Sequence, residues 1–597
     1  MPALSLDAYA TAEILERTLG DPLDAQNLFS FQHQMELDEQ EAFPEEVCDF
    51  LYQWGLFDYF IPAAYGGKLH SFEEALSILR VLSRRDLTVA IALGQTYLGA
   101  VHIWLAGSDE QRHHVAELIK QNQLMAFALT ERLHGSDVLA SDVQVTQKNV
   151  GDKSVYHLTG EKWLINNCTR ARALTVFART EPAGGARGFS LFLVDKIHLD
   201  PASYTYCAKV KTYGIRGADI SGIRFQDSQL PSEARIGQVG AGLEIALLGL
   251  MITRTMCVGF ALGTADSALR TVLTFARERR IYGDAVIAIP QAQKTLVDAF
   301  TDLLIADCAS LAAARGLHIV PEQFSVWSAI AKYFVPTTIE NLIRDLAIVL
   351  GARYYLREAH NSGIFQKLLR DCGVISLFDG STVVNLSVIC AQIPSLFAYR
   401  RKINEGQTEK LRLRLDALFS LHRPLPEFEA HRLTLSNRGQ DDVVQGMALA
   451  IAQLSHRPEI ATDDANVVEW IVTLAQEVFE QINEVDQHVQ ELINSGGRTI
   501  YKSPAMFELA KQYCTLHTAA TCLQMWLYNR TMLDEFFAKG EWLVLCLDRL
   551  LATFQPRRAP VPATFGDAAM QEALRLHEQN QAFSIVPFQL ATQTQKA

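Results

Sequence analysis

The hydrophobic and polar positions of this chain change their period along its length. From Glu45 to Trp54 and from Phe72 to Arg84, apolar residues recur every three or four positions, which is typical of amphipathic helices. Leu87 to Ile103 carries no formal charge, so it predicts a helix that is buried on every side. Together these segments predict an N-terminal helical domain over residues 1–124.

The pattern switches near Met125 to short β-prone segments separated by turns that contain glycine. This alternation is typical of strands and indicates an all-β domain over residues 125–235, inserted between helical ones. The predicted strands are Met125–Leu129, Ser154–Leu158, Leu174–Arg179, Phe189–Val194 and Ile223–Phe225.

Long helical patterns return after the β domain, at Leu243–Arg280, Gln291–Arg315 and Ser325–Leu350. Helices of this length that are apolar on more than one side indicate a bundle core, which we place at residues 236–417. A proline-containing linker then leads into a C-terminal helical extension over residues 418–597. The tail after Arg557 has few apolar anchors, and we expect it to be partly loose.

Composition narrows the class of protein. The chain has 597 residues, a net charge of −13 and a hydrophobic fraction of 49%, which fits a folded protein of several domains and disfavours nucleic-acid binding. The ten cysteines form no metal-binding pattern, and the start of the chain lacks the features of a signal peptide. We therefore expect a cytoplasmic protein without a metal site. Its apolar runs are interrupted short of a membrane span, so we expect no stable membrane anchor.

One stretch, Val374–Thr382, carries the strongest chemical signal. Its apolar residues lead directly to Asp379, and Gly380 and two hydroxyl residues follow. Most Asp-Gly pairs are simply turns. A carboxylate beside a flexible glycine is also a candidate general base, because the glycine lets a ligand approach closely. The stretch alone leaves both interpretations open.

Four further strings decide between these interpretations. They are Phe127-Ala128-Leu129-Thr130-Glu131 with Gly135-Ser136-Asp137, Gly160-Glu161-Lys162-Trp163-Leu164-Ile165-Asn166-Asn167, Tyr213-Gly214-Ile215-Arg216-Gly217-Ala218-Asp219, and Arg279-Arg280-Ile281-Tyr282-Gly283 with Gln291. By the order and spacing of these strings, the chain between Gly55 and Arg401 resembles the acyl-CoA dehydrogenase family.

The resemblance implies an acyl-CoA dehydrogenase-like fold, mainly α with an inserted β-barrel: an N-terminal helical domain, the barrel, a four-helix bundle and the C-terminal helical domain. It also implies FAD as cofactor, a homodimer, and oxidation of an acyl thioester carried by CoA or by an acyl carrier protein. An electron-transfer flavoprotein would then accept the electrons. The C-terminal extension resembles in placement that of very-long-chain acyl-CoA dehydrogenases, and we expect it to pack on the bundle.

The resemblance assigns roles residue by residue. Asp379 would be the base that removes the α-proton, and its own N–H would bind the thioester carbonyl. Substrate contacts would come from Ser136, Arg254 and Gly380. The residues implied in FAD binding are Phe127, Leu129, Thr130, Ser136, Leu164, Asn166, Arg279, Tyr282, Gln291, Gly351 and Ser381.

The chain also departs from the family pattern. The family usually has Glu where this chain has Asp379, and it commonly has Gln and three glycines where this chain keeps only Gly351. Asp followed by Gly resembles nitroalkane oxidase, although the arginine that supports the Asp there has no counterpart here. Two alternatives to thioester dehydrogenation therefore remain: a flavin oxidase of an acidic carbon substrate, and a degenerate, non-catalytic dimeric scaffold.

Overall fold

The computed structural model of the chain describes two compact units. The larger unit comprises residues 1–32, 71–85 and 254–597, and the smaller unit comprises residues 33–70 and 86–253. Within these limits, the described residues are 7–150, 153–358, 360–456, 465–556 and 559–591.

Helices make up most of the larger unit and flank the sheet of the smaller one in sequence, as their apolar periodicity predicts. Where a helix starts, a polar side chain often accepts a hydrogen bond from a free backbone N–H, as Ser108 does from Gln111. The helices are α1 Asp7–Leu19, α2 Phe31–Gln40, α3 Glu45–Trp54, α4 Phe72–Arg85, α5 Leu87–Ala106, α6 Asp109–Lys120, α7 Gly242–Glu278, α8 Pro290–Ile319, α9 Phe324–Leu350, α10 Ile364–Cys372, α11 Thr382–Arg400, α12 Glu405–Phe419, α13 Asp442–Gln445, α14 Met447–His456, α15 Ala465–Ser495, α16 Pro504–Asn529, α17 Glu535–Lys539, α18 Glu541–Leu551 and α19 Ala563–Glu578.

The smaller unit is built around one eight-stranded sheet in the order β6-β7-β3-β2-β4-β5-β8, with β1 pairing on β4. Among the described residues, β6 and β8 lie at opposite ends of this path and do not pair, so the predicted β-barrel is wrong in one respect: the sheet is open. The strands are β1 Met125–Ala128, β2 Gln144–Val150, β3 Lys153–Asn166, β4 Ala173–Arg179, β5 Phe189–Asp195, β6 Tyr204–Cys207, β7 Ile220–Pro231 and β8 Arg235–Ile236. A separate hairpin joins β9 Arg280–Ile281 and β10 Asp284–Ala285.

The core of the larger unit is a helical bundle. Helix α8 packs on α9, and α9 packs on α11. Helices α16, α18 and α19 of the C-terminal extension pack on α8 in the same unit. The extension therefore belongs to the hydrophobic core of the bundle and covers it.

The C-terminal tail is also part of this core. Phe583 is fully buried; its N–H donates to Asp266 and its carbonyl accepts from Arg80, both at 2.8 Å. Ser584 and the N–H of Ile585 donate to Asp307 at 2.7 and 3.0 Å. The expectation of a partly loose tail is therefore wrong for residues 559–591, whereas residues 557–558 and 592–597 lie outside the described ranges.

Within the described part of the chain, three helices are long and apolar enough to cross a membrane, judged by length and composition alone. They are α5, α7 and α11, so the expectation that every apolar run is too short is wrong. The most apolar windows of α5 and α7 are 78% and 89% buried within the protein. Packing inside the fold accounts for their composition, whereas the window of α11 is only 39% buried.

A buried histidine in the smaller unit makes stability depend on pH. His102 on α5 lies against Phe127, with 4.1 Å between ring centroids. Burial lowers the pKa of His102 from 6.5 to about 3, and neither ring nitrogen has a hydrogen-bond partner among the described residues. Below pH 6.5 the unfolded chain therefore binds a proton that the folded chain does not, which costs up to about 1.4 kcal/mol per pH unit.

We expect the free energy of unfolding to fall between pH 6.5 and pH 3, and to fall less steeply in His102→Gln than in the parent chain. Denaturant unfolding at several pH values measures this slope. His198→Gln is the matched control, because that ring is exposed. Equal slopes in the parent and His102→Gln would contradict the assignment.

Candidate active site

The loop between α10 and α11 presents Asp379 in an uncommon backbone conformation. Asp379 and Gly380 both have positive φ, 54° and 96°, so the chain makes a left-handed turn just before α11 begins. Asn385, one turn into that helix, donates to the carbonyls of Gly380 and Ser381 at 2.8 and 3.1 Å. A left-handed Asp costs free energy, and such strain is common at functional sites.

Helix α7 contacts both the main chain and the side chain of Asp379. The Nε of Arg254 donates to the Asp379 carbonyl at 2.7 Å, and the thiol of Cys257 lies 3.4 Å from Asp379 Oδ2 as a donor. Burial lowers the pKa of the Arg254 guanidinium, although the charge of Asp379 opposes this effect. Among the described residues, no hydrogen-bond acceptor lies on the Asp379 N–H, so it is available to a bound carbonyl oxygen.

Helix α9 supports the loop from below through Lys332. Its ammonium group is 1% exposed and donates to the carbonyls of Ile375 and Phe378, the latter at 2.7 Å. The same group lies 4.8 Å from the centroid of the Phe378 ring. Burial lowers the pKa of Lys332, while the negative charge of Asp379 raises it. Two turns further along α9, Glu340 hydrogen-bonds Ser376, so the whole turn before the base is tied to α9.

The close approach of Arg254 explains why residue 380 is a glycine. A Cβ at Gly380 would lie 2.7 Å from Arg254 Nη2, in addition to the strain of its positive φ. We expect Gly380→Ala to lower the rate of the reaction proposed below by about tenfold or more, because it displaces the base. Gly373→Ala is the matched control, since the nearest atom to its Cβ, outside its immediate neighbours, is 3.7 Å away. Equal rates for the two variants, measured at equal cofactor content, would contradict this reading.

In the smaller unit, the loop after β1 is fixed to β3 by a buried ion pair. Lys162 is fully buried and donates to Glu131 and to the Leu129 carbonyl, both at 2.8 Å. Burial lowers the pKa of Lys162 to about 8, against the opposing effect of Glu131. The Thr130 hydroxyl donates to the Trp163 carbonyl at 2.7 Å, which leaves its oxygen free to accept.

A β-bulge in β3 creates the next candidate contact. Register shifts between Trp163 and Ile165 leave Leu164 without a partner on β7. Leu164 has φ 58° and is 44% exposed, so the bulge turns an apolar side chain outward. At the end of the same strand, Asn166 Oδ1 is buried without a hydrogen-bond partner among the described residues. An outward apolar side chain beside an unsatisfied amide fits a flat, polar-edged ligand such as a flavin.

The remaining predicted FAD ligands of the larger unit lie on exposed segments. Arg279 follows α7 directly, and Tyr282 is 97% exposed at the tip of the β9–β10 hairpin. Gln291 is exposed in the first turn of α8. Gly351 has φ 59° and ψ −146°, a conformation that is essentially restricted to glycine. This conformation explains why Gly351 is retained where the other glycines of the family pattern are replaced.

Three predicted residues have less specific surroundings. Ser136 is exposed in the loop that follows β1, Phe127 is buried in β1, and Ser381 is the residue before α11. Sequence reasoning missed Cys257, Lys332 and Glu340. Their helical spacing indicates ordinary residues of long helices, and nothing in the sequence relates these three residues to the Asp379 loop.

One group of potential metal ligands lies in the smaller unit, formed by Glu131, His134 and Asp142. Glu131 is already bound by the Lys162 ammonium and by the N–H groups of Asp142 and Val143. A cation would have to displace that ammonium, so this group is a poor metal site.

Family models match three consecutive parts of the chain. The acyl-CoA dehydrogenase N-terminal domain matches residues 30–120, the middle domain matches residues 126–228 and the C-terminal domain matches residues 240–393. These matches together cover more than half of the chain.

Individual relatives agree with the family models. The chain is 28% identical over 356 residues to cyclohex-1-ene-1-carbonyl-CoA dehydrogenase of Syntrophus aciditrophicus. This alignment covers 59% of this chain and 83% of that protein. Butyryl-CoA dehydrogenase from Megasphaera elsdenii has a similar fold, with a TM-score of 0.58 and 24% identity over 65% of this chain and 98% of that one. An acyl-CoA dehydrogenase from Bacillus anthracis, solved with FAD, covers 95% of both chains with a TM-score of 0.67 and 17% identity. The fold that the two proteins share therefore includes the C-terminal helices of this chain.

Proposed function

Because the chain belongs to the acyl-CoA dehydrogenase family, it is an FAD-dependent oxidoreductase of CH–CH bonds, and we propose that Asp379 is the base with which it forms an α,β double bond in an acyl thioester. The observation that carries the proposal is the setting of Asp379. Its carbonyl and its carboxylate are both anchored to α7, while its N–H remains available. On α7, the residue before Arg254 is Thr253, which cannot act as a base in place of Asp379.

The reaction requires removal of a weakly acidic α-proton together with loss of a hydride from the β-carbon. When bound, FAD supplies the acceptor for that hydride. The Asp379 carboxylate takes the α-proton, and the Asp379 N–H donates to the thioester carbonyl as negative charge develops there. A donor aimed at the developing charge is typically worth about 3–4 kcal/mol of barrier height.

Arg254 and Lys332 support the base electrostatically. Both are buried cations of the larger unit, and both interact with the charge of Asp379. Because Asp is one methylene shorter than the usual Glu, its carboxylate stands back by about 1.5 Å. We propose that the substrate reaches further toward the loop here, and exposed Leu377 together with the partly exposed, Cβ-free Gly380 leaves room for that approach.

The FAD-holding residues that we propose fall in both units. In the smaller unit, Thr130 would accept at the pyrimidine edge of the flavin, and Leu164 and Asn166 would contact the ring. The unsatisfied Asn166 oxygen and the outward Leu164 support these two assignments. In the larger unit, Arg279 with Gln291 and Gly351 would bind the pyrophosphate end of an FAD held by a second copy of the chain.

A homodimer is the assembly that we propose. Large apolar side chains are exposed on the larger unit, where Ile348 is 73%, Tyr355 is 83% and Tyr282 is 97% exposed. Exposed patches of this kind are typical of interaction surfaces. Light scattering tests this assembly, and a monomer that retains full FAD content would contradict it. We further propose an electron-transfer flavoprotein as acceptor, to be tested by reoxidation of the reduced protein with and without it.

The substrate class is tested by mixing the FAD-loaded protein anaerobically with acyl-CoA thioesters, acyl carrier protein thioesters and nitroalkanes, while flavin absorbance is followed. We expect bleaching by one class of thioester and none by nitroalkanes. Bleaching by nitroalkanes alone, with hydrogen peroxide formed in air, would support the oxidase alternative. A preparation that takes up no FAD would support the scaffold alternative.

A further inference from the structure

A thiol that the proposed chemistry does not use lies against the candidate base. Cys257 is 4% exposed on α7, and its Sγ lies 3.4 Å from Asp379 Oδ2. It follows Arg254 by three residues, so the two side chains share one face of the helix. That face therefore holds the main chain of Asp379 through Arg254 and its side chain through Cys257.

The thiol can act here only as a donor. Burial raises the pKa of Cys257 well above its usual value, and the negative charge of Asp379 raises it further. The thiol stays protonated at neutral pH, which excludes a nucleophilic or metal-binding role because both need the thiolate. A protonated thiol beside a carboxylate donates its hydrogen to that carboxylate.

The hydrogen bond distinguishes the two oxygens of the base. Oδ2 accepts from Cys257, whereas no described residue donates to Oδ1. Oδ1 is therefore the oxygen left to take up a proton. Since the carboxylate group is planar and rigid, holding Oδ2 in place also fixes the direction of Oδ1. This orientation matters more for a short base, because its oxygen must reach the substrate with less length to spare.

We propose that Cys257 is a positioning residue for Asp379: its S–H anchors Oδ2 so that Oδ1 faces the substrate α-carbon. The inference rests on the proposed function and deepens it. It explains how this chain uses a base one methylene shorter than the family's usual Glu.

The charged and titratable groups packed around the carboxylate come from two helices. Helix α7 supplies Arg254 and Cys257, and helix α9 supplies Lys332, with Glu340 further along the same helix. Of these groups, Cys257 alone hydrogen-bonds the Asp379 side chain among the described residues. Loss of that donor leaves Oδ2 without a fixed partner, so the carboxylate can rotate away from the substrate.

The first arm of the test is infrared spectroscopy of the S–H stretch, which needs no turnover. The difference between the parent and Cys257→Ala isolates the band of this thiol from those of the other cysteines. We expect the band to move to higher wavenumber in Asp379→Asn, because a neutral amide is a weaker acceptor than a carboxylate. A band that does not move would overturn the proposed contact.

The second arm is anaerobic flavin bleaching by the thioester that works best with the parent. We expect Cys257→Ala to be about tenfold slower than the parent, and Cys257→Ser to keep most of the rate, because a hydroxyl also donates. Cys390→Ala, a buried cysteine on α11, is the control and should match the parent.

The outcomes separate this inference from the function on which it rests. A parent rate in Cys257→Ala would overturn the positioning role while leaving the proposed function intact. A parent protein that no thioester bleaches would overturn the proposed function, whatever the infrared band does. If Cys257→Ala loses FAD or fails to fold, Cys257→Ser decides, and a rate in Cys257→Ser as low as that of Asp379→Asn would also overturn the role.

Discussion

Asp379→Asn is expected to slow flavin reduction by an acyl thioester by roughly 10²–10⁴-fold, which is the usual contribution of general-base catalysis, because an amide cannot take up the α-proton. The amide is nearly isosteric with the carboxylate and still accepts the Cys257 donor at its oxygen. FAD content and melting temperature should therefore stay close to those of the parent. Stopped-flow absorbance under anaerobic conditions measures the effect.

Asp345→Asn on the exposed side of α9 is the matched control for this substitution, because it removes the same charge away from the loop. It should leave the rate unchanged. Asp379→Glu adds the methylene that the family usually has, and its rate shows whether this site is built around the shorter side chain. An Asp379→Asn protein that reduces its flavin at the parent rate would contradict the assignment of the base.

Lys332→Met is expected to lower the same rate by about a hundredfold, because misplacement of a catalytic group by about 1 Å has an effect of that size. The substitution removes both hydrogen bonds that hold the carbonyls of Ile375 and Phe378. It leaves those carbonyls unsatisfied in a buried place, so stability should also fall, by about 1–3 kcal/mol per group. Rates, FAD content and denaturant unfolding measure the two effects separately.

Lys294→Met is the control, since this lysine is exposed on α8 and, as far as the structure describes the chain, pairs only with Asp298. Lys332→Arg keeps the charge but not the shape, and should fall between the parent and Lys332→Met. If Lys332→Met lost stability but kept the parent rate at full FAD content, the lysine would be a core residue without an effect on the base.

Local periodicity predicted the helices closely. Helix α3 occupies Glu45–Trp54 as expected, and α9 begins one residue before the predicted Ser325. These elements are set by apolar residues at helical spacing, which is information contained within a short window of sequence. Their mutual arrangement came from the family resemblance and not from periodicity.

Features that depend on distant partners could not be read in this way. The open sheet depends on whether β6 and β8 meet, which no local pattern decides. The sequence predicted a loose tail because it contains few apolar residues. Its anchors, Asp266 and Asp307, lie some 280–320 residues earlier in the chain.

The residues of the candidate site also differ in whether the sequence alone identifies them. Asp379 was identifiable because its neighbours in sequence carry the family motif. Lys332 and Cys257 were not, because each contacts the loop from a position 40 to 125 residues away and each fits an ordinary buried helix. Only the fold brings these side chains to the base.

If Asp379 removes an α-proton as a β-hydride leaves, deuterium at either carbon must slow the reduction of the flavin. Flavin bleaching would be followed anaerobically with thioesters that carry deuterium at the α-carbon or at the β-carbon. We expect slower bleaching with either label, an enoyl thioester as product, and a strongly reduced rate in Asp379→Asn with labelled and unlabelled thioesters alike. Bleaching that is slowed by the α-label alone, without an enoyl product, would contradict this mechanism.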